Sequence, residues 1–262
     1  MSAVILQDEI VHYEVLGRGR PLIFLHGWVG SWRYWIPSMQ AASVTFRAYA
    51  IDLWGFGDST KDQSRYTIEQ QVNLIDNFLD KLGIGRIALV GHGLGAVVAL
   101  NFAAAKPEIV DRVMAVGFPL DGNQVNPRLR TATPVELADW LLGRIPAAES
   151  ARVEAPKADI LAVQTSLNNL QNVDLVDFSA HIVTPCLFVH GQNDPAITPP
   201  QVEDNTNLPE HTHQVIFEQS GHFPMLDETS KFNRLLSDFL SLQSGESPRQ
   251  LQLKEEWKRR VR

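Results

Sequence analysis

IALVGHGLGA, residues 87–96, is the stretch of sequence that decides the fold. Its first four residues are apolar without alternation, which is typical of a strand covered on both faces of a sheet. The residues that follow are rich in alanine and leucine and stop before Pro107, which predicts a helix. Gly91 and Gly95 leave the backbone room for a sharp turn between strand and helix. We therefore predict a strand–turn–helix unit with Gly93 at its apex, where the N-terminal amides of the helix favour negative charge.

Short β-rich runs alternate with longer helical segments along the rest of the chain. This alternation predicts a mostly parallel sheet with helices on both faces. The first two strands are expected to pair as an antiparallel hairpin at one edge. The eight expected strands are Val4–Leu6, Val11–Val15, Leu22–Leu25, Ala48–Ile51, Ile87–Val90, Val113–Val116, Cys186–Val189 and Gln214–Phe217.

Helix signals agree with this alternation. Thr67, with Gln70 three positions later, is typical of a capped helix start, and Gly83 fits the end of the same helix. A second start at Thr133 is followed by proline at the first helical position. Near the end of the chain, an apolar stripe at helical spacing predicts a further helix: Phe232, Leu235, Leu236, Phe239 and Leu240.

One segment, 120–182, breaks the alternation of strands and helices. It holds the helix start at Thr133 and a second helical stretch from Ala158 to Leu170, which exceeds what one crossover needs. We interpret it as a short helical cap over the strand ends, inserted into a core formed by residues 1–119 and 183–243. An ordinary pair of crossover helices is the alternative interpretation.

Residues 244–262 differ in composition and form a separate tail. From Arg249 onward the tail holds six Lys or Arg and two Asp or Glu, whereas the whole chain has a net charge of −7. We expect a terminal helix docked on the acidic body. Contact with a partner or with an anionic surface is the alternative.

Composition excludes several classes of protein. The N-terminus has no basic region and no long apolar core, and no apolar stretch approaches the length of a membrane span, so we expect a cytoplasmic protein. The net charge of −7 argues against general nucleic-acid binding. Cys186, the single cysteine, lies in an apolar run, so we expect a buried thiol and neither a metal site nor a cofactor. The sequence leaves the oligomeric state open.

Five motifs in a fixed order carry a family resemblance. They are His26-Gly27-Trp28, the turn 52–59 (DLWGFGDS), the unit 91–95 (GHGLG), the stretch 190–194 (HGQND), and Gly221-His222. In these motifs the chain resembles the α/β-hydrolase superfamily, in the branch of small esterases, epoxide hydrolases, haloalkane dehalogenases and C–C hydrolases. The resemblance covers about residues 10–242. It implies an α/β-hydrolase fold: a mostly parallel eight-stranded sheet with flanking helices and a short helical cap.

The same resemblance implies a catalytic assignment. Gly93 stands where the family's G-x-S-x-G turn carries its nucleophile. His222, after the last strand, would act as general base and acid. Asp194 would orient His222 and stabilise its charge, with Asp121 a weaker candidate for this acid.

The resemblance places further residues around the apex. The backbone amides of Trp28 and Leu94 would form an oxyanion hole, which depends on no side chain. Phe118 and Phe223 adjoin the ends of predicted strands and are therefore candidates to line an apolar pocket, together with Trp140. Core packing is the competing interpretation for these aromatic residues.

Glycine at the apex has no side chain that can attack a carbonyl, so no acyl-enzyme can form there. The leading hypothesis is a protein of the ester or C–C-bond hydrolase type that acts on a small apolar substrate, with weak, non-covalent or absent hydrolysis. Three alternatives stay open. They are a non-catalytic protein that binds a small molecule, a cofactor-free oxygenase or lyase, and an engineered Ser→Gly inactive hydrolase.

Overall fold

The computed structural model describes residues 2–120, 122–170, 182–200 and 208–251. Eight strands form one sheet in the order β1-β2-β4-β3-β5-β6-β7-β8. The first strand pairs antiparallel with the second and the second antiparallel with the fourth, whereas every other neighbouring pair is parallel. The strands are β1 Ser2–Leu6, β2 Glu9–Leu16, β3 Arg20–Leu25, β4 Phe46–Ile51, β5 Ile87–His92, β6 Val110–Val116, β7 Cys186–Gly191 and β8 Thr212–Phe217.

All eight predicted strands are confirmed, and so is the antiparallel edge hairpin. Every residue of β5 is buried, as its unbroken apolar run predicts for a strand inside a covered sheet. The hairpin turns through Gln7 and Asp8, which both have positive φ (49° and 66°). Positive φ at both central residues matches the twist that a two-residue hairpin requires.

Nine α-helices flank or overlie the sheet in the described part of the chain. They are α1 Ile36–Ala42, α2 Ile68–Leu82, α3 Leu94–Ala105, α4 Arg128–Thr131, α5 Pro134–Leu141, α6 Glu149–Glu154, α7 Ile160–Leu170, α8 Pro224–Asp227 and α9 Thr229–Ser241. The predicted ends of α2 are confirmed: the Thr67 side chain accepts a hydrogen bond from the Gln70 amide, and Gly83 ends the helix with φ 63°. The capping box between Thr133 and Glu136 is also present.

Helices α4 to α7 lie in the segment between β6 and β7, residues 117–185. This β6–β7 segment is hydrogen-bonded to the turn that follows β4, because the amide of Asp159 donates to the carbonyl of Gly55 at 2.8 Å. A side chain on Gly55 would collide with the Cβ atom of Ala162, so glycine is what lets α7 approach the turn. The hydroxyl of Tyr66 donates to Asp159 at 2.8 Å and strengthens the same contact.

The start of the C-terminal tail is docked on the sheet. The guanidinium of Arg249 donates to the carbonyls of Thr212 (3.0 Å) and Leu208 (2.8 Å) beside β8. The basic helix predicted for the remainder falls on residues 252–262, outside the described residues. None of the helices in the described ranges has the length and apolar character needed to cross a bilayer.

Candidate functional site

Gly93 forms the apex between β5 and α3. Its backbone has φ 51° and ψ −114°, a conformation that residues with a side chain adopt only at a cost in energy. The amide of Gly93 donates to the carbonyl of Val116 on the neighbouring strand at 2.9 Å, which holds the turn against β6.

The glycines on both sides of the apex are required by close backbone contacts. A Cβ atom on Gly91 would overlap the carbonyl of Gly95, and one on Gly95 would overlap the carbonyl of Leu25. The strand, the turn and the helix therefore pack more closely here than any side chain permits. This geometry agrees with the strand–turn–helix unit predicted from residues 87–96.

The indole ring of Trp28 packs over the apex. A Cβ atom on Gly93 would lie 3.0 Å from Cε3 of Trp28 and 3.3 Å from Cα of Gly27. The ring is fully buried, and its Nε1 donates to Oγ of Ser166 in α7 at 3.0 Å. Trp28 thus joins the loop after β3 to the β6–β7 segment and leaves little space for a larger residue at position 93.

His222 and Asp194 form a buried pair at the carboxyl ends of β8 and β7. Nδ1 of His222 lies 2.8 Å from Oδ2 of Asp194, and each side chain is only 2% exposed. Oδ1 of Asp194 accepts from the amides of Ala196 (2.8 Å) and Ile197 (3.1 Å). These bonds fix the carboxylate, so its second oxygen is held toward the imidazole.

The pairing determines which imidazole nitrogen can act as a base. A carboxylate accepts hydrogen bonds, so Nδ1 of His222 carries the proton that Asp194 receives. In a neutral ring the free lone pair is then on Nε2. The ring lies beside the apex unit, since its centroid is 4.6 Å from that of His92, the residue before Gly93.

Two backbone amides next to the apex are available as hydrogen-bond donors. The described residues offer no acceptor to the amides of Trp28 and Leu94. Leu94 is the first residue of α3, where N–H groups have no partner inside the helix and the helix dipole favours negative charge. The arrangement is suited to a developing oxyanion.

His26 orients the first of these amides. Its Nδ1 donates to the carbonyl of Gly27 at 2.8 Å, and its Nε2 accepts from the amide of Leu53 at 3.0 Å. Burial lowers the pKa of His26, which agrees with a neutral ring that makes these two bonds. Because the described chain contains no cis peptide, the N–H of Trp28 points away from the carbonyl that His26 holds.

The three predicted pocket residues lie in different surroundings. The ring of Phe223 is 5.2 Å from that of His222 and 4.6 Å from that of His92, so it borders the pair directly. Phe118 is fully buried against Phe188, 4.9 Å between ring centroids. The guanidinium of Arg128 lies over Trp140 at 4.9 Å. Their role as pocket residues stays a prediction.

Asp121, the weaker candidate for the acid, lies outside the described residues. Cys186 is buried in β7, and burial raises the pKa of its thiol, so it is not an activated nucleophile. Burial also lowers the pKa of His190 to about 4, which keeps that ring neutral near neutral pH.

Among the described residues, one group of side chains has the spacing of a metal site: His12, Asp52 and Asp58. Its atoms already have other partners. Asp52 accepts from the amides of Trp32 and Asp58 and binds Nδ1 of His12, while Asp58 pairs with Lys157 at 3.0 Å. These contacts hold the turn after β4 in place.

Sequence reasoning missed the hydrogen bonds of two fully buried side chains next to the pair, His92 and Tyr34. The His92 ring donates to the backbone carbonyl of His222 at 2.9 Å, and Tyr34 bonds to the other nitrogen of that ring at 3.0 Å. The sequence contains no local signal for these contacts, since they join residues 58 and 130 positions apart. Only the packing of the folded chain shows them.

Comparisons with known proteins agree with this geometry. The family model described as "Alpha/beta hydrolase family" matches residues 22–235. A "Putative carbamate hydrolase RutD" of Enterobacter cloacae is 30% identical over 251 residues, which covers 85% of this chain and 92% of that protein. A pimeloyl-(acyl-carrier protein) methyl ester esterase of Vibrio cholerae is 26% identical over 253 residues, covering 87% and 97%.

Solved structures share the architecture. An esterase from Exiguobacterium antarcticum matches with a TM-score of 0.81 at 19% identity, over 92% of this chain and 99% of that chain. An enol-lactonase from Burkholderia xenovorans matches with a TM-score of 0.80 at 21% identity, over 92% and 100%. At these identities the likeness shows the fold alone.

Proposed function

Since this chain belongs to the alpha/beta hydrolase family, we propose that it hydrolyses a small, largely apolar carbonyl compound of the ester or carbamate type without a covalent intermediate. The observation that carries the proposal is the buried pair of Asp194 and His222, whose Oδ2 and Nδ1 atoms are 2.8 Å apart. The pair lies beside the apex at Gly93, which has no side chain. We assign Gly93 to the nucleophile position, so the base has no hydroxyl of the protein to activate.

In the first step, Nε2 of His222 takes a proton from water as the water oxygen attacks the carbonyl carbon of the substrate. Asp194 keeps the proton on Nδ1 and stabilises the imidazolium that forms. The carbonyl π bond breaks and its electron pair moves to the oxygen, which becomes an oxyanion.

In the second step, the amides of Trp28 and Leu94 donate to this oxyanion. They are fixed before the reaction, Trp28 through the bond from His26 to Gly27 and Leu94 through its place at the start of α3. Donors that need no reorganisation stabilise the transition state more than the ground state.

In the third step, the tetrahedral intermediate collapses and the bond to the leaving group breaks. The imidazolium of His222 gives its proton to the leaving oxygen or nitrogen, which regenerates the neutral ring. The products are the acid and the alcohol or amine, and no protein adduct forms at any stage.

The expected turnover is slow. Hydrolases whose nucleophile has been removed retain roughly 10³–10⁴-fold catalysis over water from the oxyanion hole and substrate binding. A positioned general base adds about 10²-fold or more where it can reach the attacking water. We therefore expect a measurable rate that lies well below that of a serine esterase.

The substrate class is inferred from the surroundings of the pair. Phe223 borders His222, and the buried Trp28 covers the apex, so the described walls of the site are aromatic. The Enterobacter cloacae relative is named for carbamate hydrolysis and the Vibrio cholerae relative for ester hydrolysis. We propose that residues 120–182 form a cap that sets substrate size, on a core of residues 1–119 and 183–243.

The test compares two neutral substrates, 4-nitrophenyl acetate and 4-nitrophenyl N-methylcarbamate. We expect the wild-type protein to turn over at least one of them, and His222→Gln to reduce kcat by about 10²-fold or more. His213 lies in β8 and outside the pair, so His213→Gln serves as the matched control and should keep the wild-type kcat. Equal rates for wild type and His222→Gln would refute the assignment.

Binding without turnover is a second candidate function. It is favoured by the packing of Trp28, whose ring would lie 3.0 Å from a Cβ atom at position 93 and crowds the apex. A ligand that raises the melting temperature and is recovered unchanged after long incubation would support binding alone. Slow conversion of that ligand, dependent on His222, would support the hydrolase instead.

A further inference from the structure

Two fully buried polar side chains next to the site, Tyr34 and His92, have no part in the proposed hydrolysis. They join three separate pieces of backbone. The amide of Gly27 lies 2.6 Å from the Tyr34 hydroxyl, which in turn lies 3.0 Å from Nδ1 of His92. Nε2 of His92 lies 2.9 Å from the carbonyl of His222.

The chemistry of the end groups determines the direction of every hydrogen bond. The carbonyl of His222 only accepts, so Nε2 of His92 carries a hydrogen and donates it. With a neutral ring, Nδ1 of His92 accepts, so the hydroxyl of Tyr34 donates to it. The amide of Gly27 then donates to the oxygen of Tyr34. All four groups are satisfied in a single arrangement.

The protonation states agree with this arrangement. Burial, reinforced by the nearby His222, holds the pKa of His92 well below its usual value, so the ring stays neutral. Burial raises the pKa of Tyr34 well above its usual value, so the hydroxyl keeps its proton. The chain of bonds therefore persists over the pH range in which a histidine base operates.

We propose that Tyr34 and His92 are positioning residues that hold the oxyanion amide of Trp28 and the base His222 in one fixed geometry. This inference rests on the proposed function, since it assigns these two groups their roles. Neither Tyr34 nor His92 touches the reacting atoms. They act through Gly27 at one end and through the backbone of His222 at the other.

The effect on the amide follows from how Gly27 is held. Tyr34 takes the N–H of Gly27, and His26 donates to its carbonyl at 2.8 Å. Both neighbouring peptide planes are thereby fixed, and the second of them carries the N–H of Trp28. Loss of the Tyr34 hydroxyl releases the first plane and lets Gly27 rotate, because glycine has few steric limits on φ and ψ.

The experiment compares Tyr34→Phe with Tyr66→Phe. Tyr66 is also fully buried and also donates a phenol hydrogen bond, but to Asp159 in the β6–β7 segment. Tyr34→Phe should lower kcat about tenfold with KM within about twofold, a smaller loss than the 10²–10³-fold seen when an oxyanion donor is removed outright. Tyr66→Phe should keep kcat within about twofold of wild type.

A second measurement is independent of turnover. NMR of protein labelled with ¹⁵N-histidine reports which ring nitrogen carries the proton. In the unmodified protein, His92 should be neutral with its proton on Nε2 between pH 5 and 8. Tyr34→Phe should shift the ring signals of His92 and His222, and Tyr66→Phe should leave both unchanged.

The outcomes separate this inference from the proposed function. Suppose that the wild-type protein shows no turnover, but His92 carries its proton on Nε2 and only Tyr34→Phe shifts the ring signals. This result refutes the proposed hydrolase and keeps the chain of hydrogen bonds from Gly27 through Tyr34 and His92 to His222. A proton on Nδ1 of His92 in the unmodified protein overturns this chain of hydrogen bonds, whatever the stability of the variants. Equal effects of the two tyrosine substitutions on kcat and on the ring signals also overturn it.

Discussion

Replacing Gly93 with alanine tests how tightly the apex is built. The backbone there has φ 51° and ψ −114°, so any side chain costs about 1–3 kcal/mol of strain. The new methyl group would also lie 3.0 Å from the Trp28 ring, and overpacking a buried site costs roughly 1–3 kcal/mol. Gly93→Ala should therefore lower the free energy of unfolding by about 2–6 kcal/mol.

Gly83→Ala is the matched control for the packing part of this cost. Gly83 also has a left-handed backbone, φ 63°, but a Cβ atom there meets nothing within 4 Å. Its substitution should cost only the conformational part, about 1–2 kcal/mol. The difference between the two variants reports the contact with Trp28 together with any extra strain at Gly93, whose ψ of −114° departs from the 37° of Gly83.

Urea denaturation gives both values from the shift in midpoint at constant slope. A Gly93→Ala variant that is no less stable than Gly83→Ala would contradict this expectation, because the Trp28 ring would then accommodate the methyl group at no cost in free energy. Two variants as stable as wild type would contradict it as well, since neither backbone would then be held at positive φ.

Three further predictions follow from the site. Asp194→Asn should lower kcat by about 10²–10⁴-fold with little change in KM, because the amide favours the wrong tautomer of His222. The measurement is steady-state kinetics, and an unchanged kcat would contradict the prediction. The pKa of His190, about 4, lies below its ordinary value of 6.5, so the unfolded chain binds the proton first as the pH falls. The free energy of unfolding should thus drop by about 2 kcal/mol from this residue alone between pH 7 and pH 5, and denaturation of His190→Gln should show a flatter pH dependence. Ser166→Ala should lower the free energy of unfolding by about 1 kcal/mol, and Trp28→Phe should lower it by more, because the smaller ring also leaves buried space empty. Denaturation of the double variant should show clearly less than the sum of the two effects, because both substitutions remove the same hydrogen bond.

The sheet was predictable because its strands carry a simple physical signal. Ile87–Val90 is apolar without interruption, and β5 is buried along its whole length. The strand continues to His92, however, two residues beyond the apolar run. A hydrophobicity pattern does not predict a buried histidine at this position, because its burial depends on partners from distant parts of the chain.

The candidate site also contains some residues that the sequence could indicate and others that it could not. Asp194 and His222 could be proposed because they follow the glycine-rich turn in the order that the resemblance to the α/β-hydrolase superfamily implies. Both also follow strand ends, which parallel strands bring to one edge of the sheet. The contacts of Tyr34 could not be proposed, because its hydroxyl meets Gly27 and His92 only once the loop after β3 has folded over β5. The packing of Trp28 on Gly93 is likewise a property of the assembled core.

The most direct test of the account is covalent labelling of Gly93→Ser with an alkyl fluorophosphonate, read by intact mass and peptide mapping. We predict no adduct on the wild-type protein, one adduct per chain at position 93 in the variant, and loss of that adduct when His222→Ala is added. An adduct on wild-type protein within the site would contradict the account. A folded Gly93→Ser variant that stays unlabelled would contradict it equally, because the base would then not face the apex.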